Sequence, residues 1–90
     1  MKTIKMLVSG TVQGVFFRKY VQEKAAELGL RGFCRNLDNG DLEVVVEGKD
    51  ENTTKMIEIV KKGPPYAKIK EIQTQEIKHQ GFEDFRVLKM

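Results

Sequence analysis

The chain has very few of the side chains on which most metal sites and nucleophilic sites depend. Its 90 residues contain one cysteine, Cys34, and one histidine, His79. A lone cysteine cannot form an internal disulfide or complete a structural zinc site, and a single histidine argues against a Ser-His-Asp or Cys-His set. Cys34 lies in an apolar run, which favours a packed small side chain, and we expect His79 in a surface loop. The sequence therefore predicts no metal and no cofactor.

Long hydrophobic runs are also missing. No segment approaches the roughly 20 apolar residues of a membrane-spanning helix, and Lys2 and Lys5 interrupt any signal-peptide core. We therefore expect a cytoplasmic protein without a membrane partner. The 16 basic and 13 acidic residues give a net charge of +3. That charge favours anionic ligands but is too weak to indicate nucleic acid.

Strand-like and helix-like segments alternate along the chain. In order they are a strand at 4–9, a helix at 17–28, strands at 31–37 and 42–47, a helix at 51–62, a strand within 67–77 and a short strand at 85–88. Asn39-Gly40 is typical of a hairpin turn between the second and third strands. The alternation of apolar and polar residues is interrupted between Ile69 and Ile72, which predicts a bulge or an irregular start in the fourth strand.

Further predictions concern the second helix and the acidic residues. We expect Asp50 or Asn52 to cap the second helix. Its predicted apolar stripe consists of Met56, Ile59 and Val60. Most acidic residues fall on faces predicted to be exposed, so no carboxylate pair for acid–base chemistry is evident.

The β-α-β-β-α-β order predicts an α+β, ferredoxin-like sandwich within one domain over residues 1–90. Its antiparallel sheet carries both helices on one face, and the short extra strand follows. The crossover makes the first two strands parallel, with the third normally between them. Their C-terminal ends then share one end of the sheet, roughly 10 Å apart. This brings Asn36 towards the loop that follows the first strand.

That loop, Gly10-Thr11-Val12-Gln13-Gly14-Val15-Phe16-Phe17-Arg18, joins a strand to a helix N-terminus. Glycine accepts positive φ and close backbone approach, and the N–H groups of such a loop attract anions. The helix dipole disfavours Arg18 near the first turn, unless an anion lies between the loop and its planar guanidinium. An ordinary turn with a solvated arginine is at least as compatible with the residues, because the loop matches neither common phosphate-binding motif.

Two other patterns leave alternatives open. Asn36 precedes a turn, so its amide could cap the hairpin or hold a nucleophilic water, and position alone favours the cap. The same element order also builds RNA-recognition domains, and Arg31-Gly32-Phe33 matches the start of their signature. Cys34 and Arg35 break that match, and the third strand offers valines instead of stacking aromatics. A non-catalytic module that binds an anion or RNA is the alternative.

Two blocks of the chain together resemble the acylphosphatase family. Val12-Gln13-Gly14-Val15-Phe16-Phe17-Arg18 is similar to the family signature G-x-V-Q-G-V-x-F-R, and Phe33-Cys34-Arg35-Asn36-Leu37-Asp38-Asn39-Gly40 to aromatic-x-R-N-x-x-x-G. The similarity extends from about Ile4 to about Leu88. There are departures: Phe16 fills a position that is often small, Phe33 replaces a frequent Trp, and Thr11 replaces a frequent Arg. None of these removes a catalytic group.

The resemblance implies metal-free hydrolysis of an acyl phosphate to a carboxylate and orthophosphate. It implies that Arg18 binds the phosphate, that Asn36 orients the water, and that backbone amides around Gln13, Gly14, Val15, Phe16 and Phe17 cradle the phosphate. The implied partners are a small acyl phosphate and inorganic phosphate as a competing ligand, with no nucleic acid. The implied state is a monomer.

Overall fold

Five strands and two helices follow one another in the predicted order. The computed structural model describes residues 1–88. The elements are β1 (Lys2–Gly10), α1 (Val15–Glu27), β2 (Arg31–Asn36), β3 (Leu42–Gly48), α2 (Asp50–Lys62), β4 (Ile69–Ile77) and β5 (Phe85–Val87). The first helix begins at Val15, two residues before the predicted start. Neither helix is long and apolar enough, within this described range, to cross a membrane.

The sheet brings the ends of β1 and β2 to the same edge. Its strand order is β4-β1-β3-β2-β5, and β3 pairs antiparallel with both β1 and β2. Val8 of β1 and Asn36 of β2 both lie opposite Leu42 of β3. The two strands are therefore parallel, with their C-terminal ends about 10 Å apart across β3. The predicted proximity of Asn36 to the loop after β1 is confirmed.

The short fifth strand lies on the outer side of β2 and runs parallel to it. The Leu88 N–H donates to the Cys34 carbonyl at 2.9 Å, and the Gly32 N–H to the Asp84 carbonyl at 2.8 Å. The ferredoxin-like prediction is confirmed, with four strands antiparallel and the extra strand making the complete sheet mixed. Val87 pairs with Cys34 of β2. β5 therefore extends the sheet by one strand, and this strand lies beside α1.

Both helices pack on one face of the sheet, as predicted. Alternate residues of β1 and β3 point to that face because successive side chains of a strand point to opposite sides. The core combines sheet residues with one stripe from each helix: Ile4, Met6, Val8, Leu42, Val44, Val46, Cys34, Phe17, Val21, Ala25, Met56 and Val60. Ile57 packs against this core as well, whereas Ile59 of the predicted stripe does not belong to it.

Most acidic residues are exposed, as expected, but two on the opposite face of the sheet are buried. Glu43 and Glu47 of β3 are only 6% and 3% exposed. β3 lies in the middle of the sheet, so side chains from β1 and β2 extend over it from both sides. Arg35 and Lys5 contact the Glu43 carboxylate, and the segment 80–82 covers Glu47.

The start of α2 also differs from its prediction. Lys49, with extended backbone, occupies the position before the first helical residue, and its carbonyl accepts the N–H groups of Asn52 and Thr53. Asp50 and Asn52 therefore lie inside the first turn instead of capping it. The Asn52 amide donates to the Leu28 carbonyl at 3.1 Å, which ties the start of α2 to the end of α1.

The predicted irregularity of β4 is confirmed. Ser9 lies opposite Glu71 and Gly10 opposite Ile69, so the register skips Lys70. The backbone bends at this point because one strand carries an extra residue. The bend lies where β1 leaves the sheet and the loop begins.

Candidate active site

The loop after β1 is held against β4 at its first residue. Gly10 has φ of 129°, and a side chain there would run into the backbone carbonyl of Lys68. The next N–H, from Thr11, donates to the same carbonyl at 2.8 Å. Only glycine lets the two backbones approach so closely. The loop therefore leaves the sheet in a fixed direction.

Five successive backbone N–H groups of this loop have no acceptor in the part of the chain that the structure describes. Across residues 1–88, no N–H from Gln13 to Phe17 donates to a carbonyl or side chain. The N-cap is Gly14, which offers no side-chain acceptor, and the first turn contains no acidic residue. In α2, by contrast, Asp50 and Glu51 occupy the first turn. The N-terminus of α1 therefore keeps its positive end free for an external anion.

The Arg18 guanidinium lies beside these N–H groups, without an anionic partner among residues 1–88. Its Nε donates to the Gly14 carbonyl at 3.4 Å, and no carboxylate in the described chain lies within ion-pair distance. Burial raises the pKa of the Cys34 thiol to about 12, and the nearby Arg18 charge opposes that rise. Arg18 is therefore close to Cys34 on β2, two residues before Asn36. Cys34 is packed in the core, as predicted.

Asn36 does not cap the turn that follows it. In the described structure its side chain makes no hydrogen bond, and its Oδ1 is buried without a partner. The turn is held by Asn39 instead, whose Oδ1 accepts the Asp41 N–H at 3.0 Å. The turn-cap interpretation of Asn36 is wrong. Asn36 pairs across from Leu42, on the face that carries Cys34 and the helices.

Gln13 joins the loop to the hairpin that carries Asn36. Its Nε2 donates to the Leu37 carbonyl at 2.9 Å and lies 3.5 Å from the Asp41 carbonyl. The side chain therefore faces the β2–β3 turn, while its backbone N–H stays free. Sequence reasoning placed Gln13 in the cradle and missed this contact, because the acceptors are backbone carbonyls that no side-chain pattern reveals.

The three residues that open α1 point their side chains in different directions. Phe17 is 2% exposed and anchors the helix in the core, whereas Val15 and Phe16 are 64% and 73% exposed. Phe16 therefore points to solvent and does not fill the loop. An anion reaching the N–H groups would pass between exposed apolar side chains.

The lone histidine lies at the other end of the sheet. His79 is a surface residue, as predicted, with its Nδ1 3.3 Å from Glu47. Within residues 1–88, no group of three or more His, Cys, Asp or Glu side chains could hold a metal ion. The end of the sheet where β1 and β2 stop carries the free N–H groups, Arg18 and Asn36.

These features define a ferredoxin-like protein with a candidate oxyanion site at one end of its sheet. The family model of Acylphosphatase matches residues 4–87. An acylphosphatase of Coxiella burnetii is 43% identical over 84 residues, covering 93% of this chain and 88% of that protein. The crystal structure of acylphosphatase from Bacillus subtilis superposes with a TM-score of 0.93 at 34% identity, covering 98% and 99% of the two chains.

A larger protein contains a similar unit. The crystal structure of T. kodakarensis HypF matches all of this chain at 40% identity with a TM-score of 0.86, but the match covers 12% of that protein. The family of this chain is shown by the relatives whose length is similar to its own. This chain belongs to the acylphosphatase family. Its activity is the hydrolysis of acyl phosphates.

Proposed function

We propose that the free N–H groups of Gln13 to Phe17 and the Arg18 guanidinium bind the phosphoryl group, and that Asn36 orients the attacking water. The observation that supports this is the uncapped N-terminus of α1 beside an arginine that has no anionic partner among the described residues. A phosphoryl group offers several oxygens to backbone donors and to the planar fork of an arginine at once. Within residues 1–88 the Oδ1 of Asn36 on β2 is buried without a partner, which makes it an acceptor for the attacking water.

The chemistry needs only positioning and charge stabilisation. The water oxygen forms a bond to phosphorus, and the bond between phosphorus and the bridging oxygen breaks. Its electron pair leaves on the carboxylate, which is a good leaving group. The proton of the water passes to a phosphoryl oxygen of the substrate, so the products are a carboxylate and dihydrogen phosphate. Arg18 and the N–H groups stabilise the charge that develops on the equatorial oxygens.

The proposed reaction is independent of metal ions. In many phosphoryl-transfer enzymes a divalent cation neutralises the phosphoryl oxygens. Here the guanidinium and the dipole of α1 supply positive charge at the same place. We expect phosphate release from acetyl phosphate to be unchanged in excess chelator. A phosphate monoester tested alongside should not be hydrolysed.

The residue assignments are tested with two matched pairs of variants. Arg18→Ala should lower kcat/KM by about a thousandfold or more, since one arginine in a phosphoryl site contributes at least that much. Arg35→Ala removes the same charge from the opposite face of the sheet, where Arg35 contacts Glu43. It should change kcat/KM about twofold at most.

The second pair separates the water-orienting role from the turn. Asn36→Ala should lower kcat by about a hundredfold, yet phosphate should still protect it against heat. Asn39→Ala should keep its turnover and lose about 1 kcal/mol of stability, because it removes the turn hydrogen bond. Normal turnover by folded Arg18→Ala would refute the proposal. Loss of phosphate protection in Asn36→Ala would show that Asn36 binds the anion or supports the fold.

A further inference from the structure

A shallow groove begins at the candidate phosphate site and runs along α1. Its volume is about 340 Å³, and it is lined by Val15, Arg18, Lys19, Gln22 and Val87. The first four residues recur at the spacing of one helix face, and Val87 belongs to β5 on the other side. Two of them, Val15 and Arg18, also belong to the proposed phosphate site. The groove is therefore continuous with that site.

The groove is long enough for an acyl chain of several carbons, and much of its surface is apolar. From Val15 to Gln22 the helix rises about 10 Å. Val15 and Val87 provide branched aliphatic side chains, and the methylene stems of Arg18, Lys19 and Gln22 add further apolar surface. Val15 is 64% exposed although it lies beside the anion cradle. An apolar group of the substrate would cover it.

We propose that this groove receives the acyl group of the substrate and that the enzyme prefers extended aliphatic acyl phosphates to acetyl phosphate. This inference rests on the proposed phosphate site. In an acyl phosphate the carbonyl carbon is one oxygen away from phosphorus, so the acyl chain starts where the phosphoryl group is held. The groove begins at Val15, the residue after the N-cap Gly14, and offers that chain a path along the helix.

The preference has an expected size. A methylene that is fully buried on binding strengthens the interaction about fourfold, and partial burial in an open groove about twofold. Because both the substrate and the transition state contain the acyl chain, the gain appears in KM more than in kcat. We therefore expect kcat/KM to rise about two- to fourfold per methylene from acetyl to butanoyl to hexanoyl phosphate.

Gln22 is the position at which to alter the groove. It is exposed on α1, so substitutions there leave the core intact. Gln22→Leu should raise the ratio of kcat/KM for hexanoyl over acetyl phosphate about threefold, and Gln22→Glu should lower it by a similar factor. Gln75→Glu makes the same change on an exposed site of β4 and should leave the ratio unchanged. The phosphate inhibition constant of Gln22→Leu should stay within about twofold of the wild-type value.

The outcomes separate this inference from the function on which it rests. If acetyl phosphate is hydrolysed and Arg18→Ala abolishes the reaction, but kcat/KM is flat across the acyl series, the groove does not receive the acyl group. Equal effects of Gln22→Glu and Gln75→Glu on the ratio would also overturn the inference. If the folded wild-type protein releases phosphate from none of the three substrates, the proposed function itself fails.

Discussion

Replacing Glu47 with glutamine would show how strongly one buried carboxylate holds the segment after β4. Its Oε1 accepts the backbone N–H groups of Gly81 and Phe82 at 3.0 and 3.1 Å. Its Oε2 accepts the Gln80 N–H at 2.7 Å and the Thr3 hydroxyl. The carboxylate is therefore saturated by donors, three of them fixed in the backbone. We predict that Glu47→Gln lowers the free energy of unfolding by about 3 kcal/mol.

The magnitude follows from what a carboxamide can accept. A glutamine oxygen in the place of Oε1 keeps two N–H donors, but the amide NH₂ then faces the Gln80 N–H, donor against donor. A buried N–H left without an acceptor costs about 1–3 kcal/mol. The two remaining bonds lose a charged acceptor, which weakens each by about 0.5–1 kcal/mol. The total is about 2–5 kcal/mol, which in a domain of this size lowers Tm by about 10–25 °C.

The contribution of Glu47 also depends on pH in a defined direction. Burial alone would raise the pKa of Glu47, but hydrogen bonds from Thr3 and from backbone N–H groups, with the charge of His79, outweigh it and lower the pKa. The unfolded chain therefore binds the proton more readily. The stabilisation is complete above the unfolded glutamate pKa of about 4.3 and is lost as the pH falls through the folded-state pKa. The stability difference between wild type and Glu47→Gln should shrink in that acidic range.

Glu43→Gln is the matched control for this prediction. Glu43 lies on the same strand and face, and its side chain is 8% exposed. Its partners, Arg35 Nε at 2.7 Å and Lys5 Nζ at 3.6 Å, belong to side chains that are 45% and 36% exposed and can return to water. We expect a cost of about 1 kcal/mol or less. Urea unfolding monitored by circular dichroism measures both variants. Equal costs would refute the reasoning, because burial alone would then set the penalty.

Three further predictions concern the loop and the core. Gln13→Ala removes the side-chain donor that joins the loop to the β2–β3 turn and leaves the backbone N–H in place. Steady-state assays should therefore show kcat about tenfold lower and the phosphate inhibition constant nearly unchanged; equal losses in both would contradict this. Gly10→Ala should lower the free energy of unfolding in urea by about 3 kcal/mol or more. Gly14→Ala should lower it by about 1–2 kcal/mol, because Gly14 has the same kind of φ but open space around it. Equal losses would exclude the backbone collision at Gly10. Cys34, with its pKa raised to about 12, should react with a thiol reagent at pH 8 only as fast as the protein unfolds, and prompt labelling would contradict its burial.

The architecture was predictable because its signals are local. Hydrophobic alternation, helical spacing and the Gly63-Pro64-Pro65 stop after the second helix give the order of elements. The handedness of the crossover then determines that β1 and β2 end at one edge. The family signature points to Arg18, which belongs to the loop after β1, and to Asn36, which the topology brings towards that loop.

What could not be predicted depends on contacts between distant residues. Alternation assigns Glu43 and Glu47 to the face away from the helices, but it does not show that neighbouring strands and the segment 80–82 cover them. The partners of Gln13 are backbone carbonyls in a turn, which leave no trace in side-chain patterns. Asn36 resembles a turn residue by position, and only the structure shows that Asn39 makes the turn bond.

The pairing order of the sheet has a consequence for when the enzyme becomes competent during synthesis. β1 emerges first, yet its two neighbours are β3 and β4, and its bond network extends to Ile77. At ribosomal rates of roughly 5–20 residues per second, β4 is completed roughly 3–13 s after β1 and the loop that follows it have been made. The apolar strand from Ile4 to Val8 can pair with β3 once Gly48 has been made, but its other edge stays open until β4 is complete.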